Sequence, residues 1–233
     1  MPAVFLHMEI FSQIKDITLF QGVSAEKLKL LTAQSVLKKF KAGELVIGES
    51  DPVRSFFVLI SGQLKLYRSS SEGKEQTLHL LGKGDPFGLC TAFATDSFPA
   101  SAMAIEDSAV LLIPGAVMEA TARQEPALLF NIIRILSGRL KDSMALIESL
   151  ALKEIPGRLA SFLLQLLPKD AADKKSSVEL TISQRELAKI LGSTPEALSR
   201  TLRKMANDGI LSTAGRVITI QDYRALKHLA EGD

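Results

Sequence analysis

The residues best suited to chemistry lie in Thr194-Pro195-Glu196-Ala197-Leu198-Ser199-Arg200. Glu196, Ser199 and Arg200 stand at spacing i, i+3 and i+4, so on a helix they project from one face. Their types suit base edges in a DNA major groove. A guanidinium can donate two hydrogen bonds to guanine O6 and N7, a carboxylate can accept from cytosine N4, and a serine can bond a base or pack on a thymine methyl. Arg203 and Lys204, one turn on, suit phosphate oxygens. The bland alternative is a surface Glu–Arg ion pair of little worth, with Ser199 as filler.

The flanking sequence favours the DNA reading, because it predicts the scaffold such a face needs. Ser183 with Glu186 three residues later forms a capping box, Leu187, Ile190 and Leu191 give an apolar face, and Gly192 suits a left-handed helix end. After that turn Thr194 can cap a second helix with Pro195 first and Glu196 in its positive first turn, running through Met205 to Asp208-Gly209. Two such helices are a helix-turn-helix, whose second helix enters the major groove. Ile210–Arg216 and Val217–Ile220 then read as two strands about a glycine turn, a wing with Arg216 at its tip near backbone phosphate.

Other reactive side chains are few: Cys90 is the single cysteine, and the histidines are His7, His79 and His228. One thiol excludes an internal disulfide framework and any four-thiolate zinc or iron–sulfur site within the chain. No HExxH, CxxC or Gly-x-Ser-x-Gly occurs, and Gly82-Lys83-Gly84 lacks Walker spacing. A Cys90–His79 thiol–imidazole pair is the one enzymatic arrangement to consider, and chance proximity accounts for it better. An enzyme is not expected.

The 233 residues are 46% hydrophobic and 23% charged, the proportions of a globular chain of one large or two modest domains. No run approaches the ~18–20 apolar residues of a membrane span, and Met1–Ile10 lacks a signal-like pattern, so a cytoplasmic protein without membrane contact is expected. The basic excess is C-terminal: residues 1–152 carry 15 basic and 16 acidic side chains, residues 153–233 carry 13 and 10. Lys174-Lys175 reads as solvated loop charge.

A short helix near Ala25 to Thr32 leads into strand grammar from Phe40 to Ile113. Runs at Leu45–Ile47, Ser55–Ile60, Gln63–Tyr67, Gln76–Leu81, Ala100–Ile105 and Ala109–Ile113 alternate with glycine turns, which predicts an antiparallel β-roll or jelly roll. From Pro126 the period becomes helical. Leu129, Ile133, Leu136, Leu140, Met144 and Ile147 form one stripe on a helix of roughly 25–28 residues, too long for one small roll to cover. Part of the stripe is expected to meet its copy in a homodimer; the alternative is that it caps its own roll. Ile155-Pro156-Gly157 predicts a break and hinge, followed by a helix over Arg158–Leu167 and a loop over Pro168–Ser177. The expected class is α+β: a sensing roll over 1–122, a dimerisation helix over 123–154 and a winged helix-turn-helix over 155–233.

This order of parts resembles the Crp/Fnr transcription regulators over nearly the whole chain. In the roll the likeness rests on Gly43-Glu44-Leu45-Val46-Ile47, Gly48-Glu49, Phe57-Val58-Leu59-Ile60-Ser61-Gly62-Gln63-Leu64-Lys65 and Gly84-Asp85-Pro86-Phe87-Gly88. In the reading helix Pro195-Glu196-Ala197-Leu198-Ser199-Arg200 is similar to the E-x-x-S-R pattern of the Fnr and Dnr branches; the cAMP-responsive branch has Arg where Pro195 stands. The resemblance implies a homodimer on double-stranded DNA, a TTGA-like palindrome, contact with RNA polymerase, and activation or repression governed by an effector in the roll.

The roll departs from the cyclic-nucleotide pattern of that family, F-G-E followed by P-R-S/T-A. Leu89 follows Phe87-Gly88, and Pro99-Ala100-Ser101-Ala102 has Ala100 in the arginine slot. A buried cyclic phosphate would lack its paired cation, so cAMP is not the expected effector. Phe87, Gly88, Leu89, Cys90, Ala100 and Ser101 remain the effector-pocket candidates. The Dnr and CooA branches bind haem and sense nitric oxide or carbon monoxide, which makes haem the cofactor the resemblance implies and links it to nitrosative stress; another small molecule or cyclic nucleotide is the alternative. Cys90 and His79 are the candidate metal ligands, and His7 and His228 are read as surface residues.

Overall fold

The computed structural model describes residues 2–93, 97–167 and 176–232, with side chains from Met8 onward. Lys174-Lys175 and the side chain of His7 lie outside what is described. Two compact units make up the chain, Met1–Leu140 and Lys141–Asp233, divided inside the long helix.

The first unit opens with α1 (Pro2–Ile14), a 3₁₀ turn (Thr18–Phe20) and α2 (Ala25–Ala33). The strands follow as β1 (Val36–Phe40), β2 (Leu45–Ile47), β3 (Ser55–Ser61), β4 (Leu64–Ser69), β5 (Glu75–Leu81), β6 (Pro86–Phe87), β7 (Ser101–Ala104) and β8 (Ser108–Pro114). They form two antiparallel four-stranded sheets, ordered β1-β8-β3-β6 and β2-β7-β4-β5. The expected β-roll is present.

The run Phe56–Ile60 is buried throughout because β3 is covered on both faces. Phe57 and Leu59 point between the sheets, with Leu64, Leu81, Phe87, Phe98 and Val110. Phe56, Val58 and Ile60 point outward onto helical residues such as Ile14, Leu31, Met118 and Leu128. Period-2 alternation thus feeds two cores at once.

Several elements differ from expectation. The strand region begins at Val36, not Phe40, since β1 pairs along its length with β8. α1, α3 (Leu89–Phe93) and α4 (Gly115–Gln124) had no sequence prediction. They carry only short apolar repeats, and Ile10, Ile14, Leu89 and Met118 gain their burial from the sheet rather than from a strong stripe.

α5 (Pro126–Leu152) has 27 residues, as expected. Leu128 and Ile132 face the outer core, and Asn131 Nδ2 donates to the carbonyls of Leu19 at 3.0 Å and Gln21 at 2.8 Å. Along the predicted seam Ile133 and Leu140 of the first unit are 57% and 64% exposed, and Met144 and Ile147 of the second 64% and 66%.

In the second unit α6 (Ile155–Leu166) starts three residues earlier than predicted and ends at Leu166. Ile155-Pro156-Gly157 is the first turn of a helix; the interruption is Lys153-Glu154, with Glu154 as N-cap. Proline is tolerated there because a first-turn amide has no intrahelical acceptor. β9 (Ser177–Glu179) adds an unpredicted third strand to the wing, pairing with β11 (Val217–Ile220), which also pairs with β10 (Leu211–Ala214). α7 (Gln184–Ile190), α8 (Pro195–Asn207) and α9 (Tyr223–Glu231) complete the unit. Among the described residues no helix is long and apolar enough to cross a membrane.

Candidate nucleic-acid interface

Each end of the helix pair is built by the residues predicted for it. The Ser183 hydroxyl accepts from the Glu186 amide at 3.2 Å and starts α7. Gly192 ends it at φ +61°, where a side chain would be strained, while the Ser193 amide reaches back to the Ala188 carbonyl at 2.8 Å. The Thr194 hydroxyl then accepts from the Ala197 amide at 3.2 Å and starts α8, with Pro195 in its first turn.

Leu198, Leu202 and Met205 are buried and fix the inner face of α8. Glu196, Arg200, Arg203 and Lys204 are exposed and Ser199 is half-buried. At 3.6 residues per turn these five occupy one arc of about 140° opposite the buried face. The predicted trio is therefore gathered on an open helix face. Arg203 Nε donates to the Ser199 carbonyl at 3.4 Å. The first-turn amide of Glu196 itself and the Thr194 hydroxyl hold the Glu196 carboxyl below the usual carboxylate range, and the Arg200 charge adds to this against slight burial. Glu196 is thus an acceptor at neutral pH.

Arg216 is exposed in the two-residue turn Gly215-Arg216 of the β10–β11 hairpin, and its carbonyl accepts from the Leu180 amide at 2.9 Å. Arg200 and Lys204 also line an open groove of about 670 Å³ with Leu152, Glu154, Pro156 and His228. His228 is exposed, as expected.

Two arginines escaped sequence reading. Arg158, in the first turns of α6, donates from Nε to the Lys153 carbonyl at 2.8 Å, from Nη2 to that of Leu150 at 3.0 Å and from Nη1 to that of Leu191 at 3.0 Å. Arg139, on α5, donates to the Pro86 carbonyl; burial lowers its pKa while Asp85 and Cys90 oppose that shift. A charge inside an otherwise apolar helix segment was the available signal for Arg158.

The effector candidates are distributed over two layers. Phe87 and Ala100 belong to the core between the sheets, where Phe57 and Phe87 stack with centroids 4.8 Å apart and Phe98 meets both edge-on. Gly88 packs against Phe57, and the Ser101 hydroxyl accepts from the Glu49 amide at 3.0 Å. Leu89 belongs to the outer core, and Cys90 is exposed on α3. His79 is half-buried on β5, in register with Leu66 on β4 and, through it, with Ala102 on β7 of the same sheet. Cys90 and His79 sit in different layers and do not form one ligand pair, and among the described residues no group of three or more His, Cys, Asp or Glu could hold a bare metal ion.

Comparison with known proteins agrees with this anatomy. Residues 37–125 match the Cyclic nucleotide-binding domain family and residues 157–229 the Crp-like helix-turn-helix domain family. The chain is 33% identical over 207 residues to the Anaerobic regulatory protein of Pasteurella multocida, covering 88% of this chain and 72% of that protein. It is 26% identical over 214 residues to the CRP-like cAMP-activated global transcriptional regulator of Mycobacterium tuberculosis, covering 91% and 96%. The structure of FixK2 from Bradyrhizobium japonicum superposes with a TM-score of 0.72 at 25% identity, covering 85% of this chain and 98% of that one. An effector-type roll joined through a long helix to a capped helix-turn-helix, with this degree of identity to known regulators, means that the chain belongs to the Crp/Fnr family of DNA-binding transcription regulators.

Proposed function

We propose that this regulator acts as a homodimer that reads a TTGA-like palindrome through α8. The observation that carries the reading is the shared open face of Glu196, Ser199 and Arg200, between a capped N-terminus and a buried inner face. Arg200 would bond guanine, Glu196 would accept from cytosine and Ser199 would pack on a thymine methyl. Arg203, Lys204 and Arg216 would hold phosphates and set register.

The dimer reading is supported by the bare seam of α5. Seven large apolar side chains from Leu129 to Ile147 are 42–67% exposed in the single chain. A contiguous stripe of this kind on a soluble helix needs a partner, and its own copy supplies a self-complementary one. Effector binding in the roll would bias the packing of the two seams and move the reader helices toward the ~34 Å separation of successive major grooves.

The effector would lack a cyclic phosphate. Ala100 is buried among apolar neighbours between the sheets, and a phosphate beside it would be desolvated without the arginine that the cyclic-nucleotide pattern supplies. Haem with nitric oxide, the gas-sensing reading, would have to draw its ligands from Cys90 and His79 separately. A titration of fluorescently labelled palindromic and scrambled duplexes, with and without cAMP, tests both parts: the palindrome is preferred, and cAMP changes nothing.

A further inference from the structure

Arg158 sits just past the end of the long helix, within the second unit. Its guanidinium serves carbonyls at the C-termini of two different helices: Leu150 and Lys153 at the end of α5, and Leu191, the C-cap of α7. Terminal carbonyls have no intrahelical donor and carry the negative end of the helix dipole, so a cation there satisfies both needs. The fork geometry of arginine lets one side chain bind them together, which a lysine ammonium on a flexible stem does not reproduce.

The position of Leu191 gives this contact its consequence. Gly192 and Ser193 follow it directly and lead into Thr194, the cap of α8. The last turns of α5 and the turn that aims α8 are therefore held by one planar group. Neighbouring contacts stiffen the same joint: Lys153 Nζ donates to the Ser161 hydroxyl at 3.1 Å, and Gly157 packs against α9. The groove beside it joins Leu152, Glu154 and Pro156 of the junction with Arg200 and Lys204 of α8.

We infer that Arg158 is a positioning residue for DNA reading: its three hydrogen bonds lock the direction of α8 to the end of α5, so that the dimer seam dictates the spacing of the two reader helices. The inference rests on the DNA reading above.

The test compares the full-length protein with Arg158→Lys and Arg158→Gln in two measurements. Amide exchange should rise by about tenfold or more in both the end of α5 and the Gly192-Ser193 turn, the scale of one lost charge-assisted hydrogen bond. Palindrome affinity should fall by a similar factor, and the penalty for one base pair inserted between the half-sites should shrink. Affinity for a duplex with one intact half-site and base preference at the Arg200 contact should stay as in the wild type. Unchanged exchange at either segment overturns the clamp. So does an unchanged spacing penalty, or a loss that falls equally on the single half-site. Wild-type protein that ignores the palindrome would overturn the DNA reading instead, and the exchange arm would still decide whether Arg158 locks the joint.

Discussion

Gly157 lies so close to α9 that a methyl group on it would stand 2.8 Å from the Leu229 carbonyl. The glycine at the junction is therefore there for close packing, not for looseness. Gly157→Ala should force α6 and α9 apart and cost about 1–3 kcal/mol, as overpacking against backbone does. Thermal unfolding should report this as a lowered midpoint, whereas Gly138→Ala, with open space around it, should leave the midpoint unchanged or raise it slightly.

Base and phosphate contacts separate by substitution. Arg200→Ala should cost roughly 1–3 kcal/mol of binding and relax preference at one base pair. Lys204→Ala should weaken binding evenly across sequences and reduce the salt slope by about one. Titrations of single-substitution duplexes at two salt concentrations distinguish these outcomes.

The seam of α5 gives a prediction about assembly. Ile133 and Leu140 are 57% and 64% exposed in the single chain, so Ile133→Glu with Leu140→Glu leaves the subunit core intact. Sedimentation should show monomer in place of dimer. Palindrome affinity should drop by about two orders of magnitude, because the second half-site contact is no longer intramolecular.

The pH dependence follows from the sign of the Glu196 shift. Its folded pKa is depressed, so the carboxylate and its contacts are fully present above the ordinary carboxylate value and disappear only as pH falls through the lowered one. Preference at the Glu196 contact should be flat from about pH 8 to about pH 5.5. A loss near neutrality in sequence-resolved binding curves would contradict the assignment.

The reading unit was largely legible from sequence because its signals are local. Ser183, Gly192, Thr194 and Pro195 each act within one turn of the chain, and all four do in the structure what their types predict. The roll was legible as strands, since β3 and β8 alternate between two cores, but its helical cover was not. α1 and α4 owe their place to burial against the sheet, a tertiary effect without strong periodicity. The expected break at Ile155-Pro156-Gly157 falls just before those residues, at Lys153-Glu154, for a related reason. Proline and glycine have several structural uses, and here one starts a helix while the other admits the Leu229 carbonyl. Arg158 escaped because its three acceptors lie at sequence distances of 5, 8 and 33.

The central claim is that the open face of α8 reads sequence. Its most direct test is an anisotropy titration of the purified protein on a TTGAT palindrome against a scrambled duplex of equal length, at fixed salt. The account predicts a preference on the order of 10³ or more for the palindrome, strongly reduced by Arg200→Ala. Equal affinity for the two duplexes, or a preference that survives Arg200→Ala intact, would contradict it.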